Sequence, residues 1–534
     1  MAVLLRLKQT VRTLLLLDRN MRLILPVDNG AFQSPDKAGS LSECINLMPY
    51  TSETRGASSS GQLSPVDGLA IWNTAIPDRT FTFEIKGDIY GCWNNSIYQL
   101  DYDGNPTLVA TGFSTVTFTD TTTWGFNGEV VCFCFPEYNE SYFWDISLST
   151  VSKITDVVFA GYEAQDGGVL AVTSIDGYFV YCTKQDVFKS SLVSAPDKGT
   201  GFDALDYAQA EFSPDTNVTV GHLHGELYVF GQLTIEIWSN VGGVGFPFQR
   251  IDGATIEKGL GFGFADPPRK LDNSFIFIGA GEGESYSVWQ VSGGGSAKKL
   301  STKYIDELIA TVQSTTFSYQ KGGKFFYGTT TSDGTCFLDL TATALTQIPA
   351  WHKRQISPID SDSLGNLDLS RWGPEIGITY GHEKIIVDGR YYLDSNTFSN
   401  TSYVTDYSVF PFPVTEETNP TTRIFTAPYL QGEGDDVYVS RVELRMKTAV
   451  GDSSASSEAD RNPTVLMEVS DDQGRSWNSF GSRAIGRSGK TRTQVVWNRG
   501  CGRSPNYRLF RFTTINSIET VFLDLVLDVE RANH

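Results

Sequence analysis

Seven times along the chain a strand of alternating or continuous apolar residues runs into a tight turn and a second strand, and the units recur at a near-constant interval. Examples are GEVVCFCFPEYNESYFWDIS (128–147), GELYVFGQLTIEIWSN (225–240) and GKFFYGTTTSDGTCFLDL (323–340). With Tyr90, Cys132, Phe179, Tyr228, Phe277, Phe326 and Ile386 as markers, the successive steps are 42, 47, 49, 49, 49 and 60 residues. A period of about 40–50 residues, each unit holding a hairpin, is the pattern of a β-propeller, in which every unit must bury its faces against its neighbours. A row of unrelated β-sandwiches would lack a common step. The reading is therefore an all-β chain with a propeller of six or seven blades over residues 76–400. Composition agrees, since 51 Gly, 33 Phe and 23 Tyr supply turns and pleated surfaces rather than helical bundles.

One segment reads as helix. In STKYIDELIATVQ (301–313) Tyr304, Leu308 and Val312 recur every four residues, with Ser301 or Thr302 placed to cap, so it bridges two blades. Residues 401–423 carry the Thr, Ser and Pro of a linker. Beyond them YVSRVELRMKT, PTVLMEVSDDQGRSW, YRLFRFTTI and ETVFLDLVLDVE alternate as half-buried antiparallel strands do, and 424–534 reads as a C-terminal β-sandwich. Residues 1–75 show few strand signals and much Ser, Gly and Pro, which suits an extended arm wrapping a neighbour. The leucine run near the start is broken by Arg6, Lys8, Arg12, Asp18 and Arg19, so it fits neither a signal peptide nor a membrane span. Residues 1–20 read as an upstream extension or an amphipathic docking segment.

The formal charge is −20, from 42 basic and 62 acidic residues, which argues against holding DNA by phosphate neutralisation. Residues 1–420 hold 27 basic and 48 acidic side chains, against 15 and 14 in 421–534. Within 471–511 the basic residues Arg475, Arg483, Arg487, Lys490, Arg492, Arg499, Arg503, Arg508 and Arg511 form a local patch opposite Asp471 and Asp472. An acidic partner, a phosphate or plain solvent could face it. The seven cysteines are scattered singly in apolar stretches, as reduced core thiols are; Cys132 and Cys134 share one strand face without the spacing of a zinc site.

Candidate chemistry is sparse. GAGEGES (279–285) follows a strand but lacks the Gly-Lys-Ser/Thr end of a phosphate loop and precedes another strand, so its glycines shape a hairpin. His222 and His224 alternate on one strand face, with no third ligand evident to complete a metal site. Ser470, Asp472, Gly474 and Trp477 match the Asp-box pattern S-x-D-x-G-x-x-W, read here as a structural turn. Sialidases carry several such boxes in the propeller itself, and this chain has one, outside it. No cofactor, catalytic residue or metal ligand is expected, and the competing reading is a glycan-binding or sialidase-like β-propeller.

Four stretches resemble the tail-hub or nozzle proteins of short-tailed bacteriophages, also called packaged-DNA-stabilisation proteins. They are CINLMPY (44–50), GHLHGELYVFGQLTIEIWSNVGGVGFPFQRIDGATIEKGL (221–260), TTFSYQKGGKFFYGTTTSDGTCFLDLTATALTQIPAWHKR (315–354) and SDDQGRSWNSFGSRAIGRSGKTRTQVVWNRGCGRSPNYRLFRF (470–512). The resemblance implies a non-enzymatic virion protein, made in the bacterial host cytoplasm. It implies a homohexameric tube below the portal-adaptor that retains packaged DNA, conducts it at ejection and anchors tail fibres or tailspikes, with a tail needle or plug. Phage DNA would pass the lumen without sequence-specific binding. Arg475, Arg483, Arg487 and Arg492 are then expected in an assembly interface, against the adaptor or an adjacent protomer.

Overall fold

A computed structural model describes residues 21–27, 32–33, 41–51, 61–77, 80–114, 116–119, 121–190, 201–210, 213, 215–243, 245–261, 266–293, 295–310, 314–331, 334–355, 372, 377–380, 384–387, 391–394, 399–401, 418–420, 422–427, 437–504 and 508–531. The expectations for residues 1–20, and for most of the linker, fall outside that description.

Six consecutive four-stranded antiparallel meanders run through residues 81–111, 123–153, 171–209, 217–250, 269–299 and 315–354; these are blades I to VI. The seventh is composite. Strands Gly377–Tyr380, Lys384–Val387 and Tyr391–Asp394 are completed on the outside by Gly68–Ile71, in register from Tyr391 opposite Ile71 to Asp394 opposite Gly68. An N-terminal strand thus closes the ring, and the blade count is seven. Each of the seven sequence markers sits in the second strand of its blade, so the period read from the sequence is the blade period.

Seven apolar clusters, one per junction between neighbouring blades, form the propeller core. Strand Val130–Phe135 shows the principle: all six residues are buried. Val131, Phe133 and Phe135 pack toward blade I, with Phe83 and Tyr90, while Val130, Cys132 and Cys134 pack toward blade III, with Phe179 and Tyr181. A strand covered on both faces needs an unbroken apolar run, which is what VVCFCF supplies. The helix expected over 301–313 is Lys303–Ile309, and it joins blades V and VI while burying Ile305, Leu308 and Ile309.

The C-terminal unit is a sandwich of two sheets around Val442, Met467, Trp497, Phe512, Phe522 and Leu527. One sheet runs Val495–Ser504, Val437–Met446, Phe522–Arg531, Gly61–Pro65, Leu47–Thr51, and Met21–Pro26 also pairs with Phe522–Arg531. The other runs Cys44–Ile45, Thr422–Thr426, Leu509–Ile515, Thr464–Ser470, Asn478–Ala484. The described strands between Met21 and Ile71 therefore differ from the expected arm: they pair within their own chain, chiefly as sandwich strands and as the outer strand of blade VII. Their short, Ser- and Gly-rich strands carry little periodicity, and the partners that fix Met21–Pro26, Cys44–Ile45, Gly61–Pro65 and Gly68–Ile71 in the fold lie more than 300 residues away. The sandwich also starts at Thr422, within the stretch read as linker.

Propeller and sandwich share a sheet. Cys44–Ile45 pairs with Thr422–Thr426 on one side and, in parallel, with the outer strand of blade VI at Lys353 on the other, giving nine continuous strands. Asn46 fastens this seam. Its peptide N–H donates to Lys353 O (2.9 Å), its side chain accepts from Gln355 N–H (2.9 Å) and donates to Thr422 O (2.9 Å), and its carbonyl accepts from Val66 N–H (3.2 Å).

Candidate functional site

The innermost strands of the blades surround an axial cavity of about 560 Å³. Blades I to V and VII all contribute, through residues including Thr82, Trp124, Thr173, His222, Lys270 and Ile378. Hydroxyl and aromatic side chains dominate, and no carboxylate is among the described residues that line it.

The lining contains two cations. Arg269 is neutralised by Asp266 at 2.9 Å and also donates to Thr316 Oγ1 at 3.2 Å. Lys270, an exposed residue on the inner strand of blade V, makes no side-chain hydrogen bond or ion pair among the described residues, and partial desolvation by the surrounding cavity wall holds its ammonium below the usual lysine range. His222 faces the same space, with Nδ1 2.9 Å from Thr173 Oγ1. Burial first, and then the charge of Lys270, bring its pKa down to about 4, so the imidazole is neutral at neutral pH.

His224 does not share this face. It lies in the hairpin turn at φ +53°, and its Nε2 is 3.2 Å from Asn273 O of blade V. The pair expected on one strand face is split, and among the described residues no group of three His, Cys, Asp or Glu is placed to hold a metal. Cys44, Cys92, Cys132, Cys134, Cys182 and Cys336 are buried free thiols; burial raises Cys134 to about 12 and Cys336 to about 11, which makes them inert packing groups. GAGEGES is the hairpin between Ser274–Gly279 and Ser287–Ser292, tied by Gly281 N–H to Glu284 at 3.2 Å.

The Asp-box residues build a closed turn between the strands Thr464–Ser470 and Asn478–Ala484. Asp472 accepts from Ser470 Oγ (2.7 Å), Arg475 N–H (3.0 Å), Ser476 N–H (2.8 Å) and Ser476 Oγ (2.6 Å), while Ser470 Oγ accepts from Gly474 N–H (2.8 Å). These donors, with Ser476 foremost, hold the Asp472 carboxyl well below the usual carboxylate range. Gln473 and Gly474 take φ of +65° and +83°, which explains a glycine there. Trp477 lies half-buried under the Arg511 guanidinium, 4.1 Å from its ring centre.

The basic patch is partly spent inside the fold. Arg508 forks onto Asp471 at 2.7 and 2.8 Å, Arg511 pairs with Glu468 at 2.8 Å, and Arg487 pairs with Glu458 at 2.8 Å. Arg483 donates to Val496 O and Ser482 O, both at 2.9 Å. Arg475, Lys490 and Arg492 are exposed with no ion pair among the described residues. Arg475 lies before the seven-residue strand Asn478–Ala484 and Arg487 and Arg492 lie after it, so about 20 Å separates the two groups. The four arginines expected together do not form one cluster.

Sequence reasoning missed Lys270, a single lysine in FADPPRKLDN whose placement on the axis depends on the whole ring. It also missed Arg354, which is 1% exposed and caged by Phe337, Trp372, Phe326 and Tyr319 at 3.9 to 5.7 Å. The distinctive strings have structural roles of this kind. In TIEIW, Glu236 is buried and accepts from Trp238 Nε1 at 2.9 Å, and Phe248 of FPFQRI is 2% exposed between blades III and IV.

Comparison with known proteins adds the following. A family model described as bacteriophage P22 Gp10, beta-propeller, matches residues 25–362, and one described as bacteriophage P22 Gp10, beta-sandwich, matches residues 422–530. No curated protein matches the chain. Among solved structures, the N-terminal domain of Nup159 is 10% identical, covering 66% of this chain and 98% of its own, at a TM-score of 0.34. Hsv2 of Kluyveromyces lactis is 10% identical, covering 41% of this chain and 58% of its own, at a TM-score of 0.25. Neither likeness is close enough to bear on fold or function.

Proposed function

Since the chain belongs to the family of bacteriophage P22 Gp10, the tail-nozzle or packaged-DNA-stabilisation proteins of short-tailed phages, we propose that it is the tail nozzle of such a virion. Six copies form a tube below the portal-adaptor, which retains packaged DNA, conducts it at ejection and anchors fibres or spikes, with no catalytic role. The observation that carries this reading is the order and extent of the two family matches, propeller then sandwich, over most of the chain. Charge supports it: six copies at −20 would total about −120, and acidic walls repel the phosphate backbone, so DNA slides rather than sticks. The continuous sheet between propeller and sandwich suits a part that carries load along a tail.

The contact with the adaptor or the adjacent protomer is assigned to the exposed cations Arg475, Lys490 and Arg492, with Arg487 beside them and Arg483 serving mainly to hold the sandwich together. Negative-stain imaging of the purified chain, alone and mixed with adaptor, should show six-fold rings or tubes. Lys490→Glu with Arg492→Glu should reduce assembly while leaving the melting temperature unchanged. Monomers under all conditions, or rings unaffected by the reversal, would respectively remove the nozzle and the interface.

A further inference from the structure

We propose that the axial cavity of the propeller binds an acidic sugar unit, with Lys270 holding its carboxylate and Trp124 offering a face to its ring. This goes beyond the nozzle reading and does not depend on it. Three observations converge on the cavity. Its volume of about 560 Å³ lies within the range typical of small-molecule sites. Its walls mix aromatic faces with hydroxyls, here Thr82, Thr173 and Thr219 beside the neutral His222, which is the chemistry that hydroxyl-rich rings require.

The third observation is charge. Several propeller lysines are answered by carboxylates: Lys153 by Glu140, Lys184 by Asp166, Lys189 by Asp206, Lys258 by Glu284 and Lys324 by Asp339. Lys270 has no such partner among the described residues, in a chain with 62 acidic residues, and the cavity's other cation, Arg269, is already paired with Asp266. An ammonium in the cavity wall with no fixed counter-ion is open to pairing with an anionic ligand. One ammonium matches one carboxylate. A phosphate group would call for a second cation or an arginine fork, and neither is free in this lining.

The test uses the full-length chain with glucuronic acid and N-acetylneuraminic acid as probes, and glucose and inorganic phosphate as controls, read by saturation-transfer NMR and calorimetry. Saturable binding of the acids is expected, weakened about tenfold or more by Lys270→Met and kept by Lys270→Arg, since a charge-assisted bond is worth at least that factor. Glucose and phosphate should bind at least about tenfold more weakly than the acids. His222→Gln, which leaves the ammonium in place, should weaken the acids by a smaller factor and serves as the second variant if Lys270→Met lowers the melting temperature. The inference is overturned if no acid binds the folded wild type, if Lys270→Met binds as well as wild type, or if the controls bind equally.

Discussion

Asn46 joins blade VI, the sandwich and the N-terminal strands through one peptide and one amide, and it does so at φ +56°, a conformation that Asn tolerates better than most residues. It is 1% exposed, so no water replaces what it gives. Asn46→Ala removes both side-chain bonds and leaves a β-carbon in the left-handed region; the expected cost is about 2–5 kcal/mol, measured by urea unfolding. Asn46→Gly relieves the backbone but not the lost bonds, so it should fall between wild type and Ala. If the Ala variant were as stable as wild type, the seam would owe its strength to strand pairing alone. A second residue-scale effect concerns pH. His222 titrates near 4 in the fold against 6.5 in an unfolded chain, and burial also holds His352 well below that value. For a depressed histidine the unfolded state takes up protons first, so stability falls as pH drops from about 6.5 toward 4. His222→Gln should flatten that part of the stability curve by up to about 3 kcal/mol, and an unchanged slope in pH-dependent unfolding would place the acid sensitivity elsewhere.

At the scale of elements, the blades were legible because the middle of the second strand is buried on both faces in blades I to VI and is therefore largely apolar. Val130–Phe135 and Ser274–Gly279 are fully buried, and their unbroken runs set the period in the sequence. Since neighbouring blades share a cluster, damage to one such strand should open two junctions rather than one. Phe133 is 0% exposed and meets the rings of Phe83, Phe113 and Phe118. Phe133→Ala should cost about 3–5 kcal/mol, and hydrogen exchange should quicken in blades I and II before blades IV and V. Uniform loss of protection around the ring would mean that the propeller opens as a single unit. The strands of residues 21–71 were illegible for the opposite reason. Leu47–Thr51 and Gly61–Pro65 are five residues each, with Pro and Ser among them, and what makes them strands is pairing with one another and with Phe522, across more than 450 residues of chain. The axial cavity was hidden likewise: Thr82, Thr173, His222 and Lys270 come from four blades, and only ring closure brings them to one space.

For the whole molecule, the distinction that matters is between a propeller carrying an arm and a sandwich joined to it by a linker, on one side, and a single interlocked body on the other. The chain leaves the sandwich after Gly61–Pro65, closes blade VII with Gly68–Ile71, circles the propeller, and re-enters the sandwich at Thr422–Thr426. The nine-stranded sheet sets Cys44–Ile45 between blade VI and Thr422–Thr426, so propeller and sandwich are stitched through N- and C-terminal strands alike. An arm of 75 residues could be removed with loss of assembly only. An interlocked N-terminal region could not, because its loss would strip Met21–Pro26, Leu47–Thr51 and Gly61–Pro65 from the sandwich and the outer strand from blade VII. It would leave Phe522–Arg531 as an open sheet edge, along which Leu525 and Leu527 are now fully buried. Deletion of residues 1–75 should therefore yield aggregated or non-cooperatively unfolding protein, seen as loss of the sharp calorimetric transition and of soluble monomer. A truncated chain that melts cooperatively at the wild-type temperature yet fails to form rings would instead restore the arm, with its role in contacts between copies.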